Sequence, residues 1–165
     1  MVHIVYKASD FKNAMANLTH GVSVLSVLDQ GLIYGMTINS FTSVSLDPTL
    51  VLFSISKQTK NIDKYLNCQS FTVSVLSDKQ RNIADYFSRA NRDQNTMSPW
   101  FMTDGSQAVK GSLSHFMCEI QNKIDAGGSY IIVGAVKNVG ILNSNGKPLL
   151  YLQRSYFSLG DKINA

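Results

Sequence analysis

The sequence predicts a mainly β domain closed into a barrel, with a few short helices. Period-two patterning in Ser, Thr, Val, Ile and Phe recurs along most of the chain. The joints between these segments are short and rich in Asp, Asn, Gly and Pro. There is no βαβ alternation, which argues against a doubly wound fold. A barrel is the simplest closure of about seven such strands, because it removes exposed edges.

The elements follow in order. Ser9 and Asp10 open a short amphipathic helix, with Phe11, Ala14, Met15 and Leu18 at helical spacing and Gly21 as its stop. From Val22 the period becomes two: Val22, Val24 and Ser26 face one way, Ser23, Leu25 and Val27 the other. Asp29-Gln30-Gly31 turns the chain into Leu32–Gly35, a hairpin. Thr37–Ser45 reads as a strand, Asp47-Pro48 as a turn and Leu50–Ser56 as the next strand. Asn61–Leu66 fits one short helix and Phe71–Leu76 a strand. Asp78 opens a helix with Ile83, Ala84 and Phe87 on its apolar side. Ser88–Lys110 is the least regular stretch, and Trp100 within it reads as an anchor packing the loop. Ser112–Asp125, Tyr130–Leu142 and Leu149–Phe157 complete the strands.

With 165 residues the chain fits a single domain, 1–165. Its charged share is 16%, which is low for a domain with 44% apolar residues and implies that a second copy covers part of the surface. The net charge of +4 suits an anionic ligand. Nucleic acid is not favoured: the cations are scattered, apart from Lys79, Arg81, Arg89 and Arg92 around one helix and loop. Cys68 and Cys118 suit buried, reduced thiols of a cytoplasmic protein and form no metal pattern. Neither a signal peptide nor an apolar run long enough to span a membrane is expected. His3 lies in a terminus expected to fray, His20 beside a helix stop, and His115 early in a strand, none spaced for a metal or a triad.

The densest polar segments are Gly35–Ser45 and Ser54–Asn61. Hydroxyls and amides alternating along two neighbouring strands would line one wall. Lys57, Thr59 and Lys60 at its end would supply cationic and hydroxyl donors to a phosphate.

Gly35-Met36-Thr37-Ile38-Asn39-Ser40-Phe41-Thr42-Ser43-Val44-Ser45-Leu46-Asp47-Pro48 resembles the signature of the short flavin reductase family. Leu50–Ile55, Phe71–Leu76 with Gln80, Ile83-Ala84 and Phe87, Gly111–Leu113, Cys118–Ile120, Gly134–Val136 and Pro148–Tyr151 with Tyr156 follow in the family's order. The resemblance runs from Phe11 to Tyr156. It implies a Greek-key split β-barrel, a homodimer, and a flavin near the subunit interface. Members of the family take hydride from NADH or NADPH to FMN or FAD, and some pass reduced flavin to a partner monooxygenase. By position, the resemblance assigns Met36, Thr37, Ile38, Asn39, Ser40 and Phe41 to the flavin ring. Ser54, Ile55, Ser56, Lys57 and Thr59 would hold the ribityl chain and phosphate, and Phe87 and Arg89 the far end of the cofactor. Such chemistry belongs to the cofactor, and the protein supplies position and electrostatics. One departure stands out: where the family often has an acidic residue and His, this chain has Gly128 and Ser129, followed by Tyr130. Ser129 lacks an imidazole, which leaves as an alternative a flavin-binding carrier or oxidase-like relative without free-nicotinamide reductase activity. The sequence does not separate FMN from FAD, or NADH from NADPH.

Overall fold

The computed structural model describes residues 6–89 and 99–160. His3 and Arg92 therefore lie outside the described residues. The strands are β1 (His20–Gly21), β2 (Ser23–Asp29), β3 (Leu32–Ile38), β4 (Thr42–Leu46), β5 (Thr49–Ser56), β6 (Ser70–Val75), β7 (Ser114–Ala126), β8 (Ser129–Ile141), β9 (Leu149–Leu152) and β10 (Ser155–Ser158). Helices α1 (Ala8–Met15), α2 (Ile62–Asn67) and α3 (Arg81–Ser88) are short. The mainly β class is borne out.

Seven strands form one antiparallel sheet in the order β3-β2-β6-β7-β8-β5-β4. Its two end strands are consecutive in sequence and joined by Asn39–Phe41, so the sheet curls until its ends meet at that corner. The corner is clasped by a side chain: Ser40 Oγ donates to the Ser54 carbonyl at 3.1 Å and accepts from the Ser54 N–H at 3.0 Å. A second sheet, β1-β9-β10, is stitched on through Val22 N–H to Leu149 O (2.9 Å), Leu149 N–H to Leu76 O (3.0 Å) and Leu76 N–H to Val22 O (3.0 Å). This is the split barrel that the resemblance implies.

The period-two reading of β2 holds residue by residue. Leu25 and Val27 point into the barrel core with Phe53, Ile55, Phe71, Val73 and Ile132. Val22 and Val24 point outward into a second core with Leu76, Ile83, Ala84, Phe87, Phe101 and Val109. Both faces of β2 are buried because α3 and the 99–113 segment cover the outside. Trp100 packs against that outer core, as an anchor would, and the Phe101–Val109 bridge closes its segment into a small hairpin.

Three elements differ from expectation. Helix α1 ends at Met15, short of Leu18, and Gly21 pairs in strand β1 instead of stopping the helix. Thr37–Ser45 is not one strand: β3 ends at Ile38 and β4 starts at Thr42, because the corner must carry the chain from one end of the sheet to the other. The two polar segments are thus not neighbours along their length; they meet at Ser40 and Ser54. Leu149–Phe157 is likewise two strands, β9 and β10, with Leu152 paired to Ser155 around a two-residue turn. Gln153 and Arg154 both take positive φ there, 47° and 64°. Gln-Arg carries none of the usual turn residues, so the turn is silent in sequence.

Candidate functional site

A groove of about 820 Å³ opens beside the outer edge of β3. That volume lies within the range of small-molecule sites. As an end strand, β3 pairs only with β2, so its other edge carries main-chain N–H and C=O groups outside the ladder. Met36, Thr37, Ile38 and Asn39 bring this edge to the groove. Thr37 Oγ1 donates to the Ala84 carbonyl at 2.7 Å, which fixes the strand against α3.

The opposite wall comes from α3. Gly35 is pressed against Phe87, whose ring sits 4.9 Å from Tyr86 and 5.4 Å from Phe101, centroid to centroid. Phe87 is both core and groove lining, so its two sequence readings meet in one side chain. At the start of α3, Arg81 Nε lies 3.6 Å from Asp85 and its guanidinium lies 5.7 Å from the Tyr156 ring. Exposed Arg89 follows α3 and lines the groove, as do Gln58, Thr59 and Lys60 beyond β5. Burial and the nearby Asp85 carboxylate raise the Tyr156 phenol above its ordinary pKa. Tyr65 contributes from α2; it is 2% exposed, its hydroxyl has no hydrogen-bond partner among the described residues, and burial raises its pKa.

Of the residues assigned to the site from sequence, Met36, Thr37, Ile38, Asn39, Thr59, Lys60, Phe87 and Arg89 converge on this groove. The others stand outside its lining. Ser40 and Ser54 form the corner clasp. Phe41 packs on Phe116 with centroids 5.3 Å apart, and Ile55 is in the barrel core. Ser56 accepts from the Gln58 N–H at 3.2 Å. Lys57 is engaged by Asp125 at 2.8 Å, which raises its pKa, and lies 5.0 Å from the Tyr130 ring. Ser129 pairs with Ser56 and Ala126 at the β7–β8 end, and neither it nor Tyr130 lines the groove. Sequence reasoning did not assign Tyr65, Arg81, Asp85, Tyr151 or Arg154 to the site. Arg81, Asp85 and Arg154 lie far along the chain from the polar segments and no local motif marks them, whereas Tyr65 is four residues beyond Asn61 and Tyr151 ends the Pro148–Tyr151 block, signals that could have found these two.

Residues 15–160 match the model of the flavin reductase-like domain. The chain is 34% identical to the FMN reductase (NADH) SmoA of Agrobacterium fabrum, over 86% of this chain and 80% of that protein. It is 33% identical to the reductase component of a 4-hydroxyphenylacetate 3-monooxygenase from Thermus thermophilus, over 88% and 93%. Identity to the reductase component of a flavin-dependent trigonelline monooxygenase from Acinetobacter baylyi is 30% over 93% of this chain, which spans only 50% of that relative's length. The chain also spans half of a probable flavin reductase from Rhizobium meliloti. Among solved structures, flavin reductase PheA2 superposes with a TM-score of 0.84 at 29% identity, covering 94% of this chain and 100% of that one. The NADH:FAD oxidoreductase SgcE6 of Streptomyces globisporus, in complex with NAD and FAD fragments, gives 0.87 at 25% identity, covering 99% and 100%. A match over most of the chain, on a fold that carries this groove, makes the chain a member of the flavin reductase-like domain family.

Proposed function

We propose that this chain, a single domain over 1–165, is an NAD(P)H-dependent flavin reductase that supplies reduced FMN or FAD to a partner monooxygenase. The observation that carries the reading is the free edge of β3 lining a groove with cations at its rim. A flat heteroaromatic ring with donors and acceptors on its edge satisfies main-chain groups that would otherwise need water. The residues present fit a flavin: Met36, Thr37, Ile38 and Asn39 would hold the ring edge. Thr59, Lys60 and Arg89 would meet the phosphorylated tail with a hydroxyl and two positive charges. Phe87 walls the site and excludes water. Ser40, Phe41, Ser54, Ile55, Ser56 and Lys57 support it by fixing the corner and the end of β5.

When bound, flavin supplies the hydride acceptor and the reduced nicotinamide the donor. The chain's own share is orientation and charge, so the lack of an imidazole at Ser129 removes no nucleophile. We place the protein in the cytoplasm; among the described residues no helix is long and apolar enough to cross a membrane. We also propose a homodimer. Leu46 is 88% and Ile141 74% exposed, with Val44 and Val139 exposed beside them on β4 and β8. Apolar side chains in that number favour cover by a second copy, which sedimentation at dilute concentration tests.

The deciding experiment is anaerobic mixing of protein, FMN or FAD, and NADH or NADPH. Flavin absorbance should bleach in step with nicotinamide oxidation, at a rate proportional to protein. Tight flavin binding without such bleaching would overturn the reductase reading and leave the carrier.

A further inference from the structure

A second groove, of about 450 Å³, runs between α1 and the β9–β10 hairpin. It meets the first at Asn39, Tyr151 and Arg154, which line both. Its floor is apolar: Phe11, Met15 and Leu18 are 56%, 44% and 53% exposed, and no residue of α1 is buried. Among the described residues its charged lining is Lys12 and Arg154, with no carboxylate. Among the described residues Arg154 has no ion-pair partner, whereas Arg81 across the first groove has Asp85. The turn that presents Arg154 takes positive φ at both central positions, a conformation that favours Gly or Asn. It is tied to the end of α1 by Gln153 N–H to Ala16 O at 2.9 Å and by Gln153 Nε2 to Asn17 Oδ1 at 3.2 Å. The turn thus presents an exposed arginine at the junction of a large groove and a smaller apolar one.

We propose that the groove beneath α1 seats the adenosine diphosphate half of a dinucleotide, with Arg154 on its phosphates and the base against Phe11 and Met15. This rests on the reductase reading and names where that ligand half lies. FAD and the nicotinamide cosubstrate both carry this moiety, and the experiment separates them.

The full chain is titrated by calorimetry with FMN, FAD and ADP-ribose, as wild type, Arg154→Gly and Phe11→Ala. Arg154→Gly should melt higher by roughly 2–4 °C, because Gly suits the positive φ, so lost binding is not lost fold. Both variants should bind FAD or ADP-ribose more weakly, by about tenfold for Arg154→Gly, as expected for one charge-assisted bond, with FMN within about twofold. Loss confined to FAD assigns the groove to the flavin; loss confined to ADP-ribose assigns it to the cosubstrate. Equal weakening of FMN would overturn the inference by placing Arg154 on the flavin's own phosphate. It also falls if neither variant weakens FAD or ADP-ribose, or if the wild type binds FAD no tighter than FMN and does not bind ADP-ribose. A wild type that binds ADP-ribose but no flavin would sink the reductase reading alone.

Discussion

Replacing Gly35 by Ala places a methyl group where Phe87 already stands. The added Cβ would lie 2.7 Å from Phe87 Cε1, 2.8 Å from Cδ1 and 3.1 Å from Phe101 Cζ. Phe87 is 4% exposed and packed between Tyr86 and Phe101, so its ring has nowhere to turn. The strain must move α3 away from β3, and with it Phe87, Arg89 and the Thr37–Ala84 hydrogen bond. Overpacking of this kind costs about 1–3 kcal/mol, or roughly 2–12 °C in Tm for a domain of this size. Gly134→Ala is the control. Its Cβ would run into Phe71 Cζ and lie 3.2 Å from Cys118 Cβ, but inside the barrel, away from the groove. The two variants should lose similar stability, while Gly35→Ala alone weakens FMN by about fivefold or more, near 1 kcal/mol. Thermal melts and flavin fluorescence titration give both numbers. Equal FMN affinity in the two variants would refute the coupling of α3 to the site, and an unchanged Tm in both would refute the packing.

Lys60→Met should weaken FMN more than riboflavin, which lacks the phosphate, whereas Lys57→Met should change neither, because Lys57 is engaged by Asp125; fluorescence titration with the two flavins decides it. Tyr65→Phe removes a buried hydroxyl that has no partner among the described residues, so Tm at neutral pH should hold or rise, and a fall equivalent to more than about 1 kcal/mol would refute this. Burial raises the Tyr65 phenol in the folded state, so the stability that depends on its neutral form is complete below pH 10 and is lost as pH rises further; Tyr65→Phe should therefore keep more of its Tm in alkali. Burial also pushes the Cys118 thiol up to about 12, from 9.0 in an unperturbed thiol, so its contribution is full below pH 9 and fades as pH climbs towards 12, which urea titrations across that window can follow.

The strands of the barrel were legible because β2, β5 and β6 are rich in Ser, Thr, Val, Leu and Phe and end near turn residues, and β5 also alternates in burial. The signature around Asn39 gave the edge that lines the groove, since strand residues near a corner stay close in sequence. Three things were not legible. The corner between β3 and β4 is a consequence of closure, and Asn39-Ser40-Phe41 carries no Gly or Pro to announce it. The β9–β10 turn is held by contacts with α1 rather than by its own residues, so Arg154 looked like mid-strand. Lys57 looked like a phosphate ligand because composition cannot reveal that Asp125, 68 positions away, reaches it first. In each case a tertiary contact outweighs the local pattern.

The two ends of the large sheet pose one physical problem and meet it differently. An end strand leaves a row of main-chain groups that invites pairing with another chain. At β4 the side chains around the edge are apolar and exposed, Val44 and Leu46 among them, which suits a second copy of the chain. At β3 the neighbouring α3 blocks a further strand: Phe87 presses on Gly35, and Thr37 is bonded to Ala84. What remains open beside Met36–Asn39 is a groove lined with donors, acceptors and cations. A ligand that satisfies that edge binds the folded state alone, so it must raise stability by mass action, about 2.7 kcal/mol at a hundred times its Kd. The rise should shrink for a ring whose edge donors and acceptors are removed while its phosphate is kept, because the tail still reaches Lys60 but the edge of β3 is left unsatisfied.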